Sequence, residues 1–209
     1  MMETKLEYYF KKIKEFPLPE IFAVKDVCNI HKKKTELLEK LCKNEAVVID
    51  KSTKVKEGVV IEGPVWIGKN CVIGPHAFIR KGTIIGDNCE IGRIEIKGSV
   101  IMNNVKAHHH GYIGDSVIGD GVNVGAGVVF TNFKLHGADI VVEGKNIGRK
   151  FGAIVGDNTS IGCNTVTAPG TFIGPDVWIY SLCSLNGFIP KNSIVKHKPV
   201  HEVVDKQLG

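Results

Sequence analysis

"IEGPVWIGKNCVIGPHAFIRKGTIIGDNCEIG", residues 61–92, carries an aliphatic residue at every sixth position: Ile61, Ile67, Ile73, Ile79, Ile85 and Ile91. Stepping backwards adds Val55 and Ile49, so eight consecutive anchors are β-branched. Four positions after successive anchors stand Thr53, Val59, Val65, Cys71, Ala77, Thr83, Cys89 and Glu95, small or medium until the last. Glycine follows the anchor at Gly68, Gly74, Gly86 and Gly92. A period of six suits neither an amphipathic helix nor a plain strand meander. It suits a coil of short strands in which the anchor and the small residue point inward. Gly, Asn and Asp then relieve the cost of positive φ at the corners.

The step resumes at Ile118, Val124 and Phe130, and again from Val155 through Ile161, Thr167, Ile173 and Ile179 to Leu185. Rungs of this kind stack on one another, so the core is a continuous ladder with largely nearest-neighbour stability. Cys71 and Cys89 lie three hexapeptides apart and are expected to stack as small core residues, in preference to a disulfide. No CxxC pair occurs among the six cysteines, which argues against a zinc ribbon or a redox motif. The hexapeptide period is the signature of a parallel β-helix. The expected organisation is an N-terminal helical segment (1–46), the coil (47–190) and a C-terminal tail (191–209).

The 209 residues are 43% hydrophobic, enough for a sizeable core. No apolar run is long enough for a membrane span, and "MMETKLEYYFKK" lacks a signal-peptide core, so a soluble, cytoplasmic protein is expected. The net charge of +5 comes from scattered lysines and reads as a solvated surface, with no nucleic acid or membrane as partner.

Before the coil, Leu6, Tyr9, Phe10, Ile13 and Phe16 follow helical spacing until Pro17 and Pro19 end it. A second helix is predicted from about Val27 through Ile30, Leu37, Leu38 and Leu41, with Asp26 as N-cap and Asn44 as terminator. These helices are expected to cover the open first rung. "HKKK" (31–34) reads as a solvated helix face. Beyond Leu185 the period is lost, and Lys196, His197 and Lys198 are phosphate candidates on the tail. The six-step also slips between Ile91 and Ile118, and breaks between Phe130 and Val155, where "IVVEGKNIG" reads as an excursion.

"IMNNVKAHHHGYIGD" (101–115) puts three histidines inside that slip. Adjacent residues of an extended chain point to alternate sides, so the triplet alone does not make a metal site. A site sharing one histidine with His136 or with another subunit stays open. "KAHHHGYIGDSVIGDGVNVGAGVVFTNFK" (106–134) resembles the acetyltransferase domain of bifunctional UDP-N-acetylglucosamine pyrophosphorylases, especially their archaeal-type sugar-1-phosphate relatives. The match runs through Lys106, Ala107, His109, Tyr112, Gly114, Asp115, Asn123, Gly125, Ala126, Gly127 and Asn132.

The resemblance implies a left-handed β-helix of the hexapeptide acyltransferase superfamily and acetyl-CoA-dependent N-acetylation of an amino-sugar phosphate such as glucosamine-1-phosphate. It implies catalysis by His109 as general base, with Asn132 and Asn123 orienting substrate and Tyr112 contacting the sugar. It nominates Arg80, Lys97 and Lys106 for the phosphate, and Ala126, Cys163 and Ser181 for the pantetheine arm of acetyl-CoA. Backbone N–H groups of the Gly125–Gly127 stretch are the expected oxyanion donors. His108 and His110 fall on variable positions. A homotrimer with the site between neighbouring coils is implied, and no tightly bound metal. Two departures stand out. There is no room in 46 residues for the relatives' nucleotidyltransferase domain, so UTP-dependent chemistry is expected to be missing. Ala138 stands where the relatives carry lysine, and Lys134, Lys145, Arg149 and Lys150 are the available substitutes. Two other classes remain: a γ-carbonic-anhydrase-like zinc enzyme, and a non-catalytic sugar-nucleotide-binding or scaffold module.

Overall fold

The structure, a computed structural model, describes residues 3–43, 45–198, 200 and 204. From Val47 onward the chain winds through three parallel sheets, each taking one strand per turn. Sheet A runs from Val47–Ile49 to Phe188–Ile189, sheet B from Lys54–Val55 to Ile194–Val195, and sheet C from Val60–Ile61 to Ser184–Leu185. The result is a left-handed parallel β-helix. The six-step anchors are its interior: Ile67, Ile73, Ile79, Ile85, Ile91, Ile118, Phe130, Val155 and Ile173 are buried in one core. Apart from glycine, the left-handed residues are mostly asparagine, at Asn70, Asn88, Asn104, Asn158, Asn164 and Asn192, with Asp115 and Asp176 among the others. Asn and Asp tolerate that conformation better than most side chains. Cys71 and Cys89 are free and stacked: the Cys71 thiol donates to the Gly86 carbonyl (3.0 Å), and its sulfur accepts the Cys89 N–H (3.4 Å).

The two interruptions differ in kind. Between Ile91 and Ile118 the coil never leaves register: Ile96, Ile101, Ala107 and Ile113 are the inward residues. The apparent slip is shortened corners, so that Ile101 pairs directly with Ile85 below and Ile118 above. The histidines therefore sit on an ordinary corner between sheets B and C. After Phe130, by contrast, the chain departs altogether and forms an antiparallel hairpin, Ile140–Val142 with Lys145–Gly148. It returns so that Val155 stacks straight onto Ile118. The coil also outlasts the visible period, because Ile194 and Val195 pair with Trp178 and Ile179.

The N-terminal segment does not cover the first rung. It comprises a short helix α1 (Leu6–Tyr9), 3₁₀ turns at Ile13–Glu15, Pro19–Phe22 and Val27–Asn29, and a helix α2 (Ile30–Leu41). The Asp26 carboxylate caps the last of these turns by accepting the Cys28 N–H (2.9 Å); Asn44 lies outside the described residues. Tyr9, Phe10, Phe16, Ile21, Phe22, Ile30 and Leu38 pack along the flank of sheet A, against Ile84, Val100, Val117, Ile154 and Phe172. The cause lies in the outward column of that sheet: Trp66, Ile84, Val100, Val117, Ile154, Phe172 and Phe188 are in register and all apolar. On sheet B the corresponding column contains Lys54, Glu90, Lys106, Asn123 and Ser160. Burying the apolar column lowers the free energy most, at ~25 cal/mol per Å². The first coil stays open, with Val55 46% and Val60 54% exposed.

Hydrogen bonds and an ion pair fasten the segment to the corners after sheet A. The Lys11 N–H donates to Asp157 (2.7 Å), Asp157 N–H to the Tyr9 carbonyl (3.0 Å), and the Lys12 ammonium to Asp120 (2.7 Å). "HKKK" is likewise not a solvated face. Lys34 is buried and donates to the Gly98 carbonyl, and both ring nitrogens of His31 are shielded from solvent.

Candidate active site

Sheet C has two edges, and the residues singled out from the sequence divide between them and sheet B. At the edge shared with sheet B, His109, Ala126, Cys163 and Ser181 fall on successive turns of one corner. Backbone bonds hold that column together: Gly127 N–H to His110 O (2.8 Å), Asn164 N–H to Ala126 O (2.7 Å) and Leu182 N–H to Cys163 O (2.9 Å). The His109 ring is exposed and forms no hydrogen bond or ion pair with the described residues. His108 differs, with Nε2 3.5 Å from Glu90 Oε2. Ser181 lines a shallow groove with Tyr180, Leu182 and His197. Lys196 lies over the Tyr180 ring (5.7 Å).

At the other edge, where sheet C turns into sheet A, Arg80, Lys97, Tyr112 and Asn132 converge on one depression with Phe133 and Lys150. The centre of this cluster is Asp115. Its carboxylate accepts the Asn132 amide and faces the Lys97 ammonium (3.4 Å). The same Asn132 Nδ2 donates to the Tyr112 hydroxyl (3.2 Å). Burial, then the carboxylates of Asp115 and Glu95, push the Tyr112 phenol above its ordinary range, which keeps it protonated. Gly114 makes the arrangement possible: a Cβ there would stand 2.6 Å from the Tyr112 hydroxyl and 2.7 Å from the Asn132 nitrogen. Asp115 itself adopts the left-handed φ (41°) used at many corners of the coil.

The cations of this edge are unequal. Arg80 is occupied by Glu95 (2.7 Å) and Glu62 (3.7 Å), and Lys97 by Asp115. Of the four substitutes for the lysine missing at Ala138, Lys134 donates to the Asp139 carbonyl (2.8 Å) and Arg149 stacks on Phe133 (5.5 Å). Lys145 pairs with Asp26 (2.7 Å), away from the depression. Lys150 alone of the four lines it without an ion pair among the described residues. Lys106 and Asn123 lie elsewhere, paired on the outer face of sheet B, with Lys106 3.6 Å from Glu90. The chain by itself thus brings Arg80, Lys97, Tyr112 and Asn132 together and leaves His109 at the opposite edge. Sequence reasoning gave Asp115 no role, and its link to Lys97 follows only from knowing which corners stack.

Among the described residues no helix is long and apolar enough to cross a membrane. Residues 46–81 match the bacterial transferase hexapeptide family (six repeats), and residues 74–150 match the C-terminal domain of GMPPB. The bifunctional protein GlmU of Methanococcus aeolicus is 39% identical over 174 residues, covering 79% of this chain and 42% of that protein. A bifunctional sugar-1-phosphate nucleotidylyltransferase/acetyltransferase of Sulfurisphaera tokodaii is 41% identical over 140 residues, covering 64% of this chain and 35% of that one. The chain thus spans from about a quarter to about two fifths of the length of the curated relatives it matches. Among solved structures, LpxA of Acinetobacter baumannii superposes with a TM-score of 0.44 at 15% identity, covering 73% of this chain and 66% of that one, too loose a likeness to bear on function. Ladder, repeat and sequence matches agree: the chain is a hexapeptide-repeat protein, and its coil corresponds to the C-terminal, acetyltransferase-like region of GlmU.

Proposed function

We propose that this chain transfers an acetyl group from acetyl-CoA to the amine of an amino-sugar phosphate, with His109 as general base. The observation that carries the reading is the division of sheet C. One edge offers an unobstructed imidazole on a backbone column, and the other a depression lined by cations, a phenol and an amide. In a threefold assembly, the exposed edge of one copy meets the depression of the next and completes the site.

The chemistry follows from the groups present. The attacking amine must be unprotonated and must lose a proton as it adds to the thioester. A neutral imidazole accepts that proton, a contribution of about 10²–10⁴-fold in rate. The C–N bond forms as the C–S bond breaks, and the thiolate leaves as a modest base with a pKa near ~8.5. Of the backbone N–H groups from Gly125 to Gly127, those of Gly125 and Gly127 are spent on the Ile161 and His110 carbonyls (2.8 Å each), which leaves the Ala126 N–H as the donor for the oxyanion. Lys150, with Arg80 and Lys97 released from their carboxylates, binds the sugar phosphate as charge-assisted donors. The Tyr112 hydroxyl and the Asn132 amide hold the sugar.

The test is release of free thiol from acetyl-CoA in the presence of glucosamine-1-phosphate and a panel of other amino-sugar phosphates. The expected result is turnover with at least one of them, abolished in His109→Ala. Turnover unchanged by that substitution removes His109 as base. Absence of turnover across the panel, together with stoichiometric zinc in the purified protein, overturns the transferase reading.

A further inference from the structure

Lys34 is out of place by ordinary rules. Lysine is almost never fully buried without a partner, yet this one, on helix α2, is 4% exposed and crosses to the coil to donate to the Gly98 carbonyl. The position it reaches is the corner between sheets C and A, on the flank that the N-terminal segment covers. Gly82 and Gly98 flank it there, on the successive turns that carry Arg80 and Lys97. Asp115 lies over the same spot: a Cβ on Gly98 would collide with the Asp115 Oδ1 atom. The Asp115 carboxylate acts on the Lys34 ammonium as its principal opposite charge, and Lys97 as a repelling one. The two charges face each other across Gly98 without closing to an ion pair: Lys34 holds the Gly98 carbonyl, Asp115 Oδ1 lies where a Gly98 Cβ would stand, and Lys97 and the Asn132 amide occupy Oδ2.

This arrangement has a chemical consequence for Asn132. An ionised carboxylate accepts hydrogen bonds and donates none, so it captures the NH₂ end of the amide. The second contact of that nitrogen, to the Tyr112 hydroxyl, agrees with the same orientation. The Asn132 carbonyl oxygen receives no hydrogen bond among the described residues and belongs to the group that lines the depression.

We propose that Lys34 is a positioning residue of the acceptor site: from the flank of the coil it holds the Gly98 carbonyl and opposes the Asp115 carboxylate seated over that glycine, which fixes the Asn132 amide so that its carbonyl oxygen, and not its NH₂, meets the substrate. The inference rests on the proposed function and deepens it. It assigns Asn132 the recognition of a hydrogen-bond donor, an amine or hydroxyl close to the phosphate, and it makes the N-terminal segment part of the site. A substrate bearing an acceptor at that place, such as a carbonyl or an ether oxygen, is excluded by two opposed lone pairs.

The test has one arm that needs no turnover. In nitrogen-15 TROSY spectra of the full chain, the Asn132 carboxamide pair is assigned by its loss in Asn132→Ala. In the wild type this pair is expected downfield with slow exchange; in Lys34→Met it moves toward the free-amide position. Asp115→Asn, which keeps shape and removes charge, gives the same displacement and serves if Lys34→Met does not fold. A carboxamide pair unmoved in both variants overturns the relay, whether or not the chain acetylates anything. In the kinetic arm, Lys34→Met raises KM for the amino-sugar phosphate about tenfold and leaves KM for acetyl-CoA within about twofold. Its effect vanishes in an Asn132→Ala background, since residues of one network are not additive. Effects that multiply in the double variant, or KM values that rise together, mark Lys34 as a general structural support and also overturn it. Spectral displacement without turnover leaves the relay standing and dismisses the proposed acetylation instead.

Discussion

The two edges of sheet C are built from the same repeat but hold their side chains differently. Along the edge with sheet B, His109, Ala126, Cys163 and Ser181 hang on backbone-to-backbone bonds, and the His109 ring forms no hydrogen bond with the described residues. Along the edge with sheet A, Lys34, Lys97, Tyr112, Asp115 and Asn132 bond to one another or converge on the Asp115 carboxylate, half or wholly buried. A side chain supported only by the ladder can be exchanged without disturbing its neighbours. One in a mutual network cannot, because removing one member strands its partner's charge or polar group.

The comparison is exposed to several measurements. His109→Ala is expected to lower acetyl transfer about 10²–10⁴-fold with the melting temperature unchanged. A large fall in melting temperature would erase the contrast between the edges. Phe151, which underlies the other edge by stacking on Phe172 (5.9 Å) and meeting His31 edge-on (5.3 Å), gives the largest stability effect. Phe151→Ala should destabilise by about 3–5 kcal/mol in denaturant titration. Gly114→Ala should destabilise by about 1–3 kcal/mol, because the added methyl meets the Tyr112 hydroxyl and the Asn132 nitrogen in a packed site. Wild-type affinity for substrate in that variant would mean the network is looser than drawn.

Burial pushes the Lys34 ammonium down to about 8, against the attraction of Asp115. Between that value and the ordinary lysine range the unfolded chain binds the proton and the folded chain has released it. Folding stability contributed by this group therefore rises with pH, by roughly 1.4 kcal/mol per unit. Unfolding measured from pH 8 to pH 10 should show wild type gaining on Lys34→Met; parallel curves would deny that the burial acts on the charge. The smallest effect is expected at Arg80, half-buried and already shared between two carboxylates: Arg80→Met raises KM for the sugar phosphate only a few-fold.

Much of the fold was legible because one period governs it. Every anchor from Ile67 to Leu185 on the six-step points inward, since a strand residue displaced by one would face solvent. What escaped is what the period does not encode. Lys34 and Gly98 are 64 residues apart, and a helix-face reading of "HKKK" has no means of knowing that a coil corner will close over one of its lysines. Asp115 sat inside the recognised motif, but its partners follow from turns shortened at Ile96 and Ile101, which shift which residues lie above one another. The flank taken by the N-terminal segment was hidden for a related reason. The apolar column Trp66, Ile84, Val100 and Val117 emerges only once those pairings are known.

The hairpin between Phe130 and Val155 has an implication for how such a chain diversifies. The ladder closes directly from Ile118 to Val155 as though nothing intervened, and Gly152 is returned to the Asp115 carbonyl by a single hydrogen bond (2.7 Å). That corner works as a socket: any cassette whose ends meet within one strand spacing can be mounted there. Doubling its length adds only about 0.6 kcal/mol of closure entropy. Because Asn132 stands at the exit and Lys150 at the return, exchanging the cassette re-tools the rim of the depression while the prism beneath it is left alone.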